Sequence, residues 1–314
     1  MIPASCIDND EDSSHGNQPR LPRIVCGFQL RIAEAEKLRL CYKFSESMTN
    51  GGKTKSMKPQ LWPGEDLLDQ AQDIIYDAWE VRDARKRVAL AKRALAISPD
   101  CADAYVLLAQ ASRKGALELY RKGVEAGERA LGKEIFETEA GNFWGVLETR
   151  PYMRARVGLA QSLWDCGQHD LAIAHWRDML RLNSNDNLGI RYVLAARLLE
   201  RGLDRELAAL LKEYEEDGGA YLIWTKALLA FRTSGDGNRS RRALRAALES
   251  NPHIPAYLLG RKAIPRQLPE YVGFGDEREA VCWAAENMNA WKATTGALAW
   301  LCATIDAEES AILN

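Results

Sequence analysis

The chain has 314 residues, 46% of them hydrophobic, with 42 Lys and Arg against 44 Asp and Glu and a formal charge of -2. That composition is too apolar for disorder throughout and large enough for a sizeable core, and the near-balanced charge supplies no global field toward nucleic acid or an anionic membrane, so any charge-driven partner must be met locally. The longest apolar-rich run, from Ala220 to Phe231, is far short of a bilayer span and carries Lys226.

The seven cysteines are odd in number, scattered and never in CxxC spacing. This pattern suits reduced thiols in a cytoplasmic protein and argues against a disulfide framework or a structural zinc site. The start of the chain has four acids by residue 12 and no apolar core of a signal peptide. Residues 1–60 read as a low-order basic N-terminal extension. Within it Phe28, Ile32, Ala35, Leu38 and Tyr42 have helical spacing, which suits a loose appendage, a docking helix or a helix packed on the first repeat, and Met57 is an alternative start.

Residues 61–314 read as a helical repeat domain. Leu67, Leu68, Ala71, Ile74, Ile75, Ala78 and Trp79 form one wide stripe, with Glu65 and Asp66 in the first turn where the helix dipole favours acids. Asp83 to Ile97 repeats the pattern and Ser98-Pro99-Asp100 ends it, because proline cannot continue a helix. A pair around Tyr105 to Gly123 has a short turn from Ser112 to Gly115, and 128–148 reads as an insertion holding Asn142, Trp144 and Glu148. The clearest unit follows: Val157, Ala160, Leu163 and Trp164, a break at Gly167, then Leu171, Ile173, Trp176, Met179 and Leu180 before the turn cluster Asn183 to Asn187. Two such helices cannot bury their stripes alone and must stack on similar neighbours. After Pro252 a short helix from Ile254, a connector marked by Pro265 and Pro269, and helices over Glu277–Asn289 and Thr295–Ile305 close the domain, the last pair acting as a polar cap.

These residues carry a resemblance. Ala94 and Pro99 followed by Tyr105, Leu108 and Ala109 resemble the junction between two tetratricopeptide repeats; Ala160, Gly167, Ala172 and Trp176 match the same pattern, as do Trp224, Gly235, Ala247 and Pro252, although Ser184 stands where proline is usual. The strings ISPDCADAYVLLA, FWGVLETRPYMRAR, AYLIWTKALLAFR and GDEREAVCWAAENMNAWKATTGALAWL further resemble the repeat region of the suppression-of-tumorigenicity-seven family and of bacterial tetratricopeptide proteins related to it. The resemblance implies an all-α fold, a right-handed superhelical solenoid of tetratricopeptide-like hairpins, and carries no catalytic residue across.

Function is then sought in the groove that first helices line in such repeats. The corresponding positions are Arg154, Val157, Gln161 and Trp164, then Tyr192, then Thr225, Leu229 and Arg232. The arginine forks suit carboxylates, so the expected activity is a non-catalytic scaffold that holds a protein or peptide of acidic character, with no cofactor, metal, nucleic acid or membrane partner. Internal pairing of these arginines is the competing reading. His169 and His175 lie about 120° apart around a helix axis, too divergent to share a metal, and read as exposed or capping residues. The alternative class, an enzyme or nucleotide-linked accessory, would place its chemistry in the 128–148 insertion, where no recognised catalytic motif stands.

Overall fold

The computed structural model describes residues 65–312 apart from 113 and 270, so the expectations for residues 1–60 lie outside the described residues. Among these the fold is all-helical, with fourteen α-helices, two three-residue turns of 3-10 helix, and no strand beyond two isolated bridges. The chain divides into two compact units that meet in sequence at Asn187 and Leu188.

The first unit holds α1 (Glu65–Glu80), α2 (Ala84–Ile97), α3 (Ala102–Ala111), α4 (Ala116–Leu131), the one-turn α5 (Ile135–Thr138), α6 (Arg150–Asp165) and α7 (His169–Leu182). Long helices adjacent in sequence pack on one another, and α3 also packs on α1 and on α6. Ala71, Ile75 and Ala78 of α1 meet Ala91 and Ala94 of α2 and Ala104 and Leu107 of α3 in one buried cluster. The start of α2 is fixed by Asp83, whose carboxylate accepts from the backbone N–H groups of Arg85 and Lys86 at 2.8 and 3.3 Å.

The short turn after α3 is made possible by Gly115, at φ +82°. Helix α4 runs on to Leu131, three residues past the expected start of the insertion, because its last turns pack on α6 through glycine. A Cβ at Gly127 would lie 2.8 Å from Tyr152 Cβ, and one at Gly123 would lie 3.1 Å from Ala155 Cβ. The connection that follows is a packed cover. Phe143 and Trp144 are buried, the rings of Phe136, Phe143 and Tyr152 cluster at 5.1–6.0 Å, and Gly141 exchanges backbone hydrogen bonds with the Leu182–Ser184 strip at the end of α7.

The second unit holds α8 (Ile190–Glu200), α9 (Asp204–Glu213), α10 (Ala220–Ser234), α11 (Asn238–Ser250), α12 (Ile254–Leu258), α13 (Glu277–Ala293) and α14 (Ala297–Ile312). Its centre is aromatic: the Trp224, Trp283 and Trp291 rings lie 5.5–6.4 Å apart and all three are fully buried. The repeat-like small and aromatic positions Ala94, Ala172, Trp176, Trp224 and Ala247 are each no more than 1% exposed, as close helix approach requires.

Candidate functional site

In the first unit, Arg154 is drawn into the interior. It is 7% exposed, and its guanidinium donates from Nε to Asp103 Oδ1 at 2.8 Å and from Nη2 to Asp103 Oδ2, while stacking over the Trp79 ring at 5.0 Å. Asp103 is fully buried and also accepts from Gln72 Nε2 at 2.8 Å. Beside it the Cys101 thiol is pushed up to about 12 by burial and then by the Asp103 charge, so it stays a protonated, unreactive group. This corrects the expectation for Arg154: a desolvated carboxylate on α3 claims it, 51 residues away in sequence.

Along the same helix Val157 and Gln161 are half-buried, and Gln161 donates to Asp165 one turn on at 2.9 Å. Trp164 is buried against His169 and Trp176, with ring centroids at 4.2 and 5.8 Å. His175 is half-buried rather than exposed. Its Nδ1 accepts from Arg156 Nε at 3.2 Å, and Arg156 also binds the Tyr152 hydroxyl at 2.9 Å and Asp178 at 2.6 Å.

Burial, and then the Arg156 charge, lower the His175 pKa to about 4. An imidazole whose folded pKa lies below its unfolded value keeps full stability above the unfolded value of 6.5 and loses it progressively as pH falls toward 4, because only the unfolded chain takes up the proton. With its partial exposure discounted, the loss should be about 1 to 2 kcal/mol between those limits. Chemical denaturation at pH 7 and pH 4.5 should show His175→Gln losing less stability than the wild type; an equal loss in both would remove His175 as the cause.

The second unit assembles the remaining predicted positions differently. Thr225 is buried and donates back to the Tyr221 carbonyl at 2.8 Å, and Leu229 is buried. Arg232 donates to Thr294 Oγ1 at 2.9 Å, to the Leu199 carbonyl at 2.8 Å and to Asp204 Oδ1 at 3.2 Å, so it ties α10 to its neighbours. This is the internal pairing that the sequence kept as a competing reading.

Tyr192 belongs to a half-buried cluster of charged and aromatic side chains. Its hydroxyl donates to Asp217 Oδ2 at 2.8 Å, and the same oxygen accepts from Arg191 Nε at 2.7 Å. The Arg191 guanidinium lies 4.3 Å from the Tyr192 ring centre and 5.5 Å from that of Tyr214, and Tyr221 packs on Tyr192 at 5.4 Å. The hydrogen bonds from Gly219 N–H, Arg191 and Tyr192 outweigh partial burial and hold the Asp217 carboxyl below its usual value. A methyl placed on Gly219 would stand 3.7 Å from Tyr192 Oη and 3.9 Å from Phe274 Cε1, which sets the edge of the Phe274 ring beside this cluster.

Phe274 is 85% exposed, with Tyr271 at 56% and Val272 at 40% in the same loop. The loop base is nonetheless fixed. Asp276 caps α13 and accepts from the Glu279 N–H at 2.8 Å and the Gly273 N–H at 3.0 Å, while Glu279 accepts from the Gly275 N–H at 2.7 Å and from Asn251 Nδ2 at 3.0 Å.

Comparison with known proteins decides the family. Residues 62–312 match the family model described as ST7 protein. The chain belongs to the ST7 protein family. Among its members, the chain is 27% identical to the suppressor of tumorigenicity 7 protein-like of Bos taurus over 264 residues, covering 74% of this chain and 46% of that relative. It is 27% identical to the protein of the same name from Homo sapiens over 265 residues, covering 74% and 45%. To the protein ST7 homolog of Caenorhabditis elegans it is 29% identical over 265 residues, covering 72% and 49%. The chain thus spans just under half the length of these ST7 relatives. Among its described residues no helix is long and apolar enough to cross a membrane, and no three His, Cys, Asp or Glu side chains gather as metal ligands.

The loop at Tyr271 and the Arg191–Asp217 pair were missed in the sequence. The one available signal was the uncharged string YVGF between Pro269 and the acids that start α13, which read as plain connector. In the 128–148 stretch, Trp144 is buried under Arg150, whose Nε donates to the Trp144 carbonyl at 3.0 Å, and Glu148 is exposed.

Proposed function

We propose that the protein is a non-catalytic interaction module that engages a protein or peptide segment through the Tyr271–Phe274 loop and the adjoining Tyr192 cluster. One observation carries this reading: an aromatic loop is held at its base by five hydrogen bonds from or to Asp276, Glu279 and Asn251 while Phe274 stays 85% exposed. Ordering such a loop in advance lowers the entropy lost on binding, and exposed aromatic anchors are the residues from which interfaces draw most of their energy. The acidic preference expected of the partner loses its support, since Arg154 and Arg232 both spend their charge on carboxylates of this chain.

The finer architecture belongs to the same proposal. Antiparallel pairs α1–α2, α3–α4 and α6–α7, with α1, α3 and α6 contacting in succession, support tetratricopeptide-like stacking in the first unit, with the right-handed sense such hairpins take. The cysteine spacing supports a cytoplasmic setting. The enzyme alternative has less in its favour: of Asn142, Trp144 and Glu148, Trp144 serves packing, and the exposed Asn142 and Glu148 match no recognised catalytic motif.

Replacing Tyr271 and Phe274 with serine should leave helicity and melting temperature almost unchanged, since both side chains are exposed. Partners recovered by affinity capture and identified by mass spectrometry should then bind roughly 30-fold or more weakly, the usual effect of removing an anchor of about 2 kcal/mol. Unchanged affinity for every recovered partner would sink the proposal.

A further inference from the structure

The first hairpin carries two stripes of opposite charge on its exposed sides. On the exposed side of α1 lie Asp69, Asp73, Asp77 and Glu80, and the helix contains no Lys or Arg. On the exposed side of α2 and the residue before its cap lie Arg82, Arg85, Lys86, Lys92 and Arg93, with the small Ala89 and Ala96 between them. At 3.6 residues per turn the four cations within α2 fall within an arc of about 120°, opposite the buried Ala91 and Ala94, and the four acids fall within about 80°, opposite Ala71 and Ala78.

Exposed arginines elsewhere in the protein do take carboxylates, as Arg129 does with Asp100 at 2.8 Å and Arg241 with Asp236 at 2.6 Å. Among the described residues, Asp73, Asp77, Glu80 and the five cations make no ion pair within the chain. Two antiparallel neighbours of opposite charge that fail to pair must present their stripes outward rather than toward each other.

We infer that this hairpin is an interface for a second copy of the chain, related by a two-fold axis that sets α1 of each copy on α2 of the other. The stripes are self-complementary, which is what an isologous contact requires. A polyanion such as nucleic acid or an anionic bilayer fits less well, because whatever α2 attracts, the acids of α1 repel. No aromatic side chain stands within the basic arc to stack a base. With 16 residues in α1 and 14 in α2, a contact along both helices would be about 24 Å long and about 20 Å wide and would bury about 500 Å² per copy. That is the low end of specific interfaces and implies a weak, reversible, salt-sensitive association. It is independent of the Tyr271–Phe274 loop, and loss of one need not affect the other.

Analytical ultracentrifugation of the full chain tests it. The wild type should dimerise reversibly in about 50 mM NaCl and bind itself at least ~10-fold more weakly in about 500 mM, where screening is several times shorter in range. A variant with Arg85→Glu, Lys92→Glu and Arg93→Glu should be monomeric, and so should one with Asp73→Lys, Asp77→Lys and Glu80→Lys. An equimolar mixture of the two should dimerise, since each acidic face then meets a basic one. A wild type that stays monomeric at low salt, variants that dimerise as the wild type does, or a mixture that stays monomeric would each overturn the inference. Should a reversed variant fail to fold by circular dichroism, Lys92→Ala with Arg93→Ala replaces it, with the wild-type dimer expected to weaken about 10-fold and an unchanged dimer counting against the interface.

Discussion

Arg154→Ala is expected to cost the first unit about 3 to 5 kcal/mol, the range for breaking a buried ion pair by removing one partner. The physical cause is what the change leaves behind. Asp103 has no exposed surface, and of the partners that neutralise it only Gln72 would remain, a neutral donor to one oxygen. Trp79 would also lose the guanidinium that covers its ring. Urea denaturation followed by circular dichroism reads the effect directly. The double replacement Asp103→Leu with Arg154→Met should recover most of the loss, because it removes both charges and keeps the volume. If Arg154→Ala stays within about 0.5 kcal/mol of wild type, the pair is not the buried link described here and Arg154 returns to the list of exposed charges.

Gly127→Leu should be comparably damaging, at about 3 kcal/mol or more, the upper part of the range for overpacking. Even a methyl group here would stand 2.8 Å from Tyr152 Cβ and 3.1 Å from Tyr152 Cα, so the obstacle is backbone and cannot swing aside. Tyr152 cannot retreat either, since it is 2% exposed, packed against Phe136 and Phe143, and bonded to Arg156. Relief must come from parting α4 and α6, which would also disturb the cover formed by residues 132–149. Gly115→Ala is the useful comparison, because nothing lies within 4 Å of a Cβ there and only the left-handed backbone is strained. A Gly127→Leu protein that melts with the wild type would show that the two helices do not approach as closely as drawn.

Much of the helical framework was legible in advance because helix formation is decided within a few residues. The stripe Ala71, Ile75, Ala78 is buried as its spacing predicts, Pro99 and Gly167 stand at ends of helices, and Ala172 and Ala247 sit where backbones approach. A wrong boundary arose where a local rule met a tertiary one: α4 continues through Glu128 to Leu131 because Gly123 and Gly127, poor helix formers alone, are the residues that let it lie on α6.

Charge was legible only as position. The period places Arg154 and Arg232 on first helices and the four exposed cations of α2 on one arc, but it cannot say which of them meets a carboxylate. Those meetings join residues far apart in the chain, Arg154 with Asp103 and Arg191 with Asp217, and they depend on how helices pack rather than on any spacing. The same holds for exposure. Tyr271 and Phe274 are as apolar as the tryptophans of the core, and they face solvent because the bonds of Asp276 and Glu279 fix the loop that carries them. Periodicity and turn chemistry, which act over a few residues, therefore determined where the helices lie; which arginines are spent inside the fold, and which apolar and charged groups stay exposed, was decided only by contacts between elements far apart in the chain.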